Sequence, residues 1–182
     1  LGLIFFGMEL MSNATGPLRQ WQPFIDAMRN MQNPLLSILI GLIFTAVVQS
    51  SSATAGVVIV LASQGLISLE SGIGLIYGSN IGTCVTAIIA AFGRPREAVQ
   101  AAWIHVVFNI GGVLLWMFFI PQFAQFVRSI SPTARYLEEA ARLVADTPRQ
   151  IANAHTLFNV GNAVLFIWFT GPMARLVDWI VP

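Results

Sequence analysis

The chain has 182 residues, 56% of them hydrophobic and only 9% charged, with a formal net charge of +1. Soluble globular domains carry about 25% charged residues, so this chain has too little charge to coat a water-facing surface. It also lacks the basic stripe that would neutralise nucleic-acid phosphates, which argues against a nucleic-acid partner. The charges that exist are segregated. Between Asn30 and Gly93 the only ionised side chain is Glu70, and residues 98–127 and 150–174 contain none. Runs of this length satisfy the requirement of about 20 apolar residues for a helix across the hydrocarbon core. The fold class expected is therefore an all-α, multi-pass membrane protein in contact with the lipid bilayer. The single cysteine, Cys84, excludes an internal disulfide and a cysteine-based zinc cluster, and its apolar surroundings make it a packing residue.

Residues 1–12 are apolar but too short to span a bilayer, and they lack the basic start and small-residue cleavage site of a signal peptide. They read as the end of a transmembrane helix that begins upstream. Residues 13–33 place Trp21, Phe24, Ile25, Met28 and Met31 opposite Arg19, Gln22, Asp26 and Arg29. That pattern predicts an amphipathic helix lying in the membrane interface. Asn33-Pro34 then supplies a cap and a first-turn proline for a new helix. The apolar stretch 34–67 is interrupted at its centre by Gln49-Ser50-Ser51-Ser52. Each arm reaches only about 20 Å at 1.5 Å per residue, short of a core of about 30 Å. A re-entrant hairpin with its tip at Gln49–Ser52 is expected, with a strongly tilted single helix as the alternative. A polar tip at membrane depth requires a cavity or a protein shell around it.

The span 70–92 contains Gly78-Ser79-Asn80-Ile81-Gly82-Thr83, and two glycines flanking an asparagine predict a broken helix with freed backbone groups. A polar turn at 94–97 leads to a span over 98–120 that Pro121 is expected to stop. Residues 121–149 read as a polar peripheral segment, and 150–170 as a last span ended by Gly171-Pro172. Residues 171–182 read as a short amphipathic tail carrying Trp179. The pattern A-x-x-H-x-x-F-N-x-G occurs twice, over 102–111 and 152–161, at an offset of fifty residues.

Three constellations carry candidate chemistry. The hydroxyls and amide of Gln49, Ser50, Ser51 and Ser52 can coordinate sodium by oxygen and donate hydrogen bonds to an oxyanion. If the second hairpin arm starts there, its free N–H groups and positive dipole end face the same point. Asn80 and Thr83, which Thr86 follows in the sequence, are the pair that can supply further oxygens for sodium, joined by unwound carbonyls if the helix breaks. His105 with Asn109, and His155 with Asn159, each lie one turn apart on a single helical face. Their duplication reads as a pair of interhelical hydrogen-bond clamps, with no proton transfer assigned. The chain has no lysine for a phosphate-cradling loop, no Gly-x-Ser-x-Gly and no metalloenzyme pattern. It is read as no enzyme and as needing no cofactor.

The motifs Phe44-Thr-Ala-Val-Val-Gln-Ser-Ser-Ser-Ala-Thr54, Gly65-Leu-Ile-Ser-Leu-Glu70, Gly78-Ser-Asn-Ile-Gly-Thr83 and His105-Val-Val-Phe-Asn-Ile-Gly-Gly-Val-Leu-Leu-Trp116, in this order, closely resemble the type II sodium–phosphate cotransporter family, bacterial type. The resemblance implies sodium-coupled symport of inorganic phosphate across the cell membrane, through two inverted repeats that each carry one Gln-Ser-Ser-Ser hairpin. This chain resembles the second repeat, because Arg149-Gln-Ile-Ala-Asn-Ala-His-Thr-Leu-Phe-Asn159 is similar to the segment that closes the membrane domain. It is thus expected to be one half of an inverted-repeat transporter, partnered by a first repeat. By resemblance, Gln49, Ser50, Ser51 and Ser52 bind phosphate. Sodium as coupling ion falls to Gln49, Ser50, Ser51, Asn80, Thr83 and Thr86. Cys84 stands where the family commonly has threonine. The resemblance also admits a PhoU-like cytoplasmic domain after residue 182 and a homodimer.

Overall fold

A computed structural model describes residues 2–15, 17, 21–23, 26, 31 and 33–182. It contains eight α-helices among the described residues: α1 (Gly2–Thr15), α2 (Pro34–Val48), α3 (Ser51–Ser63), α4 (Leu69–Ala91), α5 (Arg96–Trp116), α6 (Ile120–Ile130), α7 (Glu139–Phe166) and α8 (Thr170–Ile180). No strand occurs among them. The interfacial helix expected over 13–33 falls largely outside the described residues. Of its members, Trp21 is exposed, the Gln22 amide donates to Asp26 at 3.0 Å, and Met31 is buried.

Helix α4 is the centre of the molecule. Every residue from Leu69 to Asn80 except Glu70 is buried, and α2, α3, α5, α6 and α7 all pack against it. Its closest partner is α2, and glycine makes the contact possible. A Cβ on Gly74 would overlap the Ser37 side chain, and one on Gly78 would overlap the Ile38 carbonyl. One on Gly82 would lie 2.7 Å from the Leu42 carbonyl oxygen and the Thr45 Cβ. From the other side, a Cβ on Gly41 would overlap the Leu75 carbonyl. Glycines at four-residue spacing form a Cβ-free stripe on one face, against which a neighbouring helix can lie backbone to backbone. Because residues 37, 38 and 45 of α2 meet 74, 78 and 82 in ascending order, the two helices run parallel.

This contact corrects the expectation of a broken helix. Residues Gly78 to Thr83 stay inside one continuous helix, Leu69–Ala91. The Asn80 side-chain amide donates to the Ile76 carbonyl at 2.9 Å, and the Thr83 hydroxyl to the Ser79 carbonyl at 2.9 Å. Both bonds add to the helical ladder instead of opening it. Glycine loosens a helix only where nothing holds it, and here α2 does.

Helices α2 and α3 are joined by Gln49 and Ser50. Asn33 caps α2 through its side-chain oxygen, which accepts from the Leu35 N–H at 3.0 Å, with Pro34 at the first position. At the other end Gln49 adopts φ 56, ψ 27, the only positive-φ non-glycine residue among those described. That left-handed residue ends the helix and turns the chain. Ser50 then caps α3, and the Thr45 and Thr54 hydroxyls meet across the turn at 2.8 Å. Thr54 lies near the Gly82 level, while Val58 lies 3.8 Å from a Cβ built on Gly72. Helix α3 therefore runs antiparallel to α4, and the two arms form a hairpin whose tip stops at the middle of α4. The far end of α3 is tied to α1, where the Gln64 amide donates to the Ser12 carbonyl at 2.9 Å.

The C-terminal half is a duplicated unit longer than the matched motif. Helices α5 and α6 are joined by a 3-10 turn at Met117–Phe119, and α7 and α8 by one at Ile167–Phe169. The offset is again fifty residues, and the equivalent residues Phe119 (φ −110, ψ 14) and Phe169 (φ −108, ψ 11) repeat the same backbone. Pro121 and Gly171-Pro172 were expected to stop their spans. Each instead sits in the first turn of the helix that follows the 3-10 turn, where its missing N–H or lax backbone is tolerated. Likewise the polar segment 121–149 is mostly helical, divided between α6 and α7. The two units cross where a Cβ on Gly112 would overlap the Asn162 amide, and the Trp116 indole N–H donates to the Asn162 Oδ1 at 3.0 Å. The contacts are reciprocal: Gly111 faces the ring of Phe166, and Gly161 the ring of Trp116, equivalent pairs as a two-fold axis generates.

Candidate functional site

The hairpin tip, the middle of α4, α5 and α7 border an open hollow of about 460 Å³ lined by Ser51, Asn80, Thr83, His105, Asn109, His155 and Asn159, with Phe108, Thr156 and Val160 completing it. The elements explain the convergence. Asn80 and Thr83 stand at the centre of α4, on a different face from the Gly78–Gly82 stripe. The parallel α2 carries the chain up to that level, and the left-handed Gln49 turns it so that α3 begins beside them.

The local chemistry at the tip is that of a helix N-terminus. The Ser50 hydroxyl accepts from the Ala53 N–H at 3.2 Å, and the Ser50 carbonyl accepts from the Thr54 N–H at 3.0 Å. The N–H groups of Ser51 and Ser52 have no intrahelical partner by geometry. Together with the positive end of the α3 dipole they form a place where an anion gains hydrogen bonds and favourable charge.

The polar run is thus divided. Ser51 lines the hollow, and Ser50 is occupied with capping. Gln49 and Ser52 are exposed at the tip. Asn80 and Thr83 line the same hollow, whereas Thr86 stands one turn further along α4, its buried hydroxyl without a hydrogen-bond partner among the described residues. Cys84 is buried beside the site, its Sγ 3.7 Å from the carbonyls of Asn80 and His105.

The His–Asn pairs, expected as clamps between helices, each bond first within their own helix. The Asn109 amide donates to the His105 carbonyl at 2.9 Å and the Asn159 amide to the His155 carbonyl at 2.8 Å, each within its own helix. The first pair also meets a second helix, since the Cys84 thiol of α4 donates to the His105 carbonyl of α5 at 3.7 Å. Both pairs face the hollow. The signal that pointed there was the fifty-residue repeat itself, since a two-fold arrangement brings equivalent faces of α5 and α7 toward a shared centre.

Among the described residues, three helical stretches, Leu69–Ala91, Arg96–Ile130 and Glu139–Ile180, are long and apolar enough to cross a membrane. With polar groups converging at mid-length of those helices, the class is an all-α integral membrane protein with an internal polar site. The family model described as Na+/Pi-cotransporter matches residues 3–132, and the chain belongs to that family. It is 38% identical over 133 residues to the Bacillus subtilis uncharacterized protein YqeW, a match covering 72% of this chain and 43% of that protein. It is 45% identical over 85 residues to sodium-dependent phosphate transport protein 2C of Rattus norvegicus, covering 44% of this chain and 14% of that one. For sodium-dependent phosphate transport protein 2A of Ovis aries the identity is 46% over 84 residues, covering 44% and 13%. The chain therefore spans less than half the length of these relatives. No solved structure matches it.

Proposed function

We propose that this chain forms part of a secondary transporter that carries inorganic phosphate across the cell membrane by symport with sodium. The observation that supports this most is the hollow in which Ser51, at the open N-terminus of α3, meets Asn80 and Thr83 of α4. An anion placed there takes N–H and hydroxyl hydrogen bonds, and a sodium ion takes side-chain oxygens from the same residues. Each charge screens the other, so neither binds well alone, which is the physical basis of coupling. No arginine lines the hollow. A weaker, dipole-based site suits a cargo that must be released.

In this reading α2 and α3 form a re-entrant hairpin that enters and leaves on one side of the membrane. Its tip stops at mid-depth, because the arms are about 22 and 20 Å long at 1.5 Å per residue. The exposed Gln49 and Ser52 then require a protein or water-filled surround at that depth, which a first repeat of inverted topology supplies. Phosphate and sodium sites are assigned to Ser51, Asn80 and Thr83 at the hollow, with Gln49, Ser50, Ser52 and Thr86 bordering it. The test is radiolabelled phosphate uptake into vesicles carrying the whole protein. An inward sodium gradient is expected to raise uptake at least about tenfold over a potassium gradient. Equal uptake under both gradients contradicts sodium coupling, and uptake of another anion alone contradicts the choice of phosphate.

A further inference from the structure

The hollow contains two groups that sodium binding leaves unexplained. His105 and His155 are half-buried, they line the hollow from two different helices, and neither imidazole nitrogen makes a hydrogen bond among the described residues. Sodium is a hard cation that takes oxygen ligands, and the site already offers it Ser51, Asn80 and Thr83. Imidazoles aimed at the same space therefore have the anion to address. A neutral imidazole presents one donor and one acceptor nitrogen, whereas serine N–H groups and a helix N-terminus offer an anion donors only.

We propose that His105 and His155 are specificity-determining residues that select a protonated oxyanion, phosphate, over a fully deprotonated one such as sulfate. The proposal rests on the phosphate reading above. Phosphate near neutral pH keeps at least one P–OH group, which is a hydrogen-bond donor and needs an acceptor. Sulfate has no such hydrogen, so an acceptor nitrogen facing it is left unpaired and its lone pair is set against an oxyanion. A site built to bond a substrate hydroxyl rejects the analogue that lacks it, because its own acceptor then goes unpaired against the bound ion. The fifty-residue repeat matters here: equivalent imidazoles on α5 and α7 allow one ring to donate to an oxyanion while the other accepts from P–OH. Asn109 and Asn159, by bonding back to the histidine carbonyls, hold the two helical turns that carry the rings.

The experiment measures competition by sulfate and by arsenate, which also keeps a hydroxyl, against sodium-dependent phosphate binding to the whole purified protein. Wild type is compared with the double variants His105→Ala/His155→Ala and His105→Gln/His155→Gln. Glutamine retains one acceptor and one donor. The expected result is that the alanine variant lets sulfate compete at least about tenfold better, while glutamine restores the preference and arsenate competes throughout. Because preference is a ratio, it does not depend on how much protein folds. The proposal is overturned if the alanine variant keeps wild-type preference, or if glutamine fails to restore what alanine lost. Wild-type protein that binds no phosphate with sodium overturns the underlying phosphate reading instead.

Discussion

At the residue scale, the tip of the hairpin concentrates several demands on four side chains. Gln49 holds a left-handed backbone that glycine would adopt without steric cost. Ser50 spends its hydroxyl oxygen on the Ala53 N–H, so it contributes to stability before it contributes to binding. Ser50→Ala is expected to lower stability by about 1 kcal/mol, the usual cost of a lost cap, measured as a lower denaturation midpoint in detergent. Unchanged stability would mean that the cap does not hold the start of α3. The run was legible in the sequence as a polar interruption of the right length, and so were Asn33 and Pro34 as a helix start. Which hydroxyl faces the hollow was not legible. That depends on the turn angle set by one φ at Gln49, and neighbouring serines have no chemical difference to report it.

At the scale of elements, the glycine pattern had two physical readings that sequence alone could not separate. Gly78 and Gly82 relax a helix when unsupported, and they admit a close neighbour when one is present. Adding Gly74 gives a four-residue period, the geometric signature of a contact face, and α2 occupies it. Gly78→Ala places a methyl group against the Ile38 backbone carbonyl, which cannot move aside as a side chain could. The expected cost is about 1–3 kcal/mol from overpacking, read as a fall in thermal midpoint in detergent together with reduced uptake. If Gly78→Ala is as stable as wild type, the α2–α4 contact is looser than described. Pro121 and Pro172 show the same ambiguity. Each was legible as an end, and each also serves as the beginning of a new helix after a short 3-10 turn.

At the scale of the whole molecule, the chain is two assemblies around α4. The hairpin of α2 and α3 packs along it, the duplicated kinked units α5–α6 and α7–α8 pack around the rest, and α3 also lies directly against α7. The ionic contacts mark the two ends: Arg128 pairs with Glu70 at 2.8 Å near the start of α4, and Arg96 with Asp178 at 3.8 Å near its end. These pairs are partly exposed and contribute little to stability. The all-α membrane class was legible because charge is scarce and segregated, a property of composition that tertiary structure cannot alter. The duplication was legible only at its most identical stretch, since the rest of the repeat survives in backbone angles more than in residue identity.

If the hairpin tip and the middle of α4 together hold the transported ions, as proposed, sodium-dependent phosphate uptake by Ser51→Ala and Asn80→Ala in the whole protein must show it. Protein quantity and thermal midpoint are measured alongside. Both substitutions are predicted to reduce uptake at least about tenfold while the folded protein stays in the membrane, since each removes a ligand from a site that has few. Wild-type uptake in either variant, at equal protein, would contradict the account and place the site elsewhere.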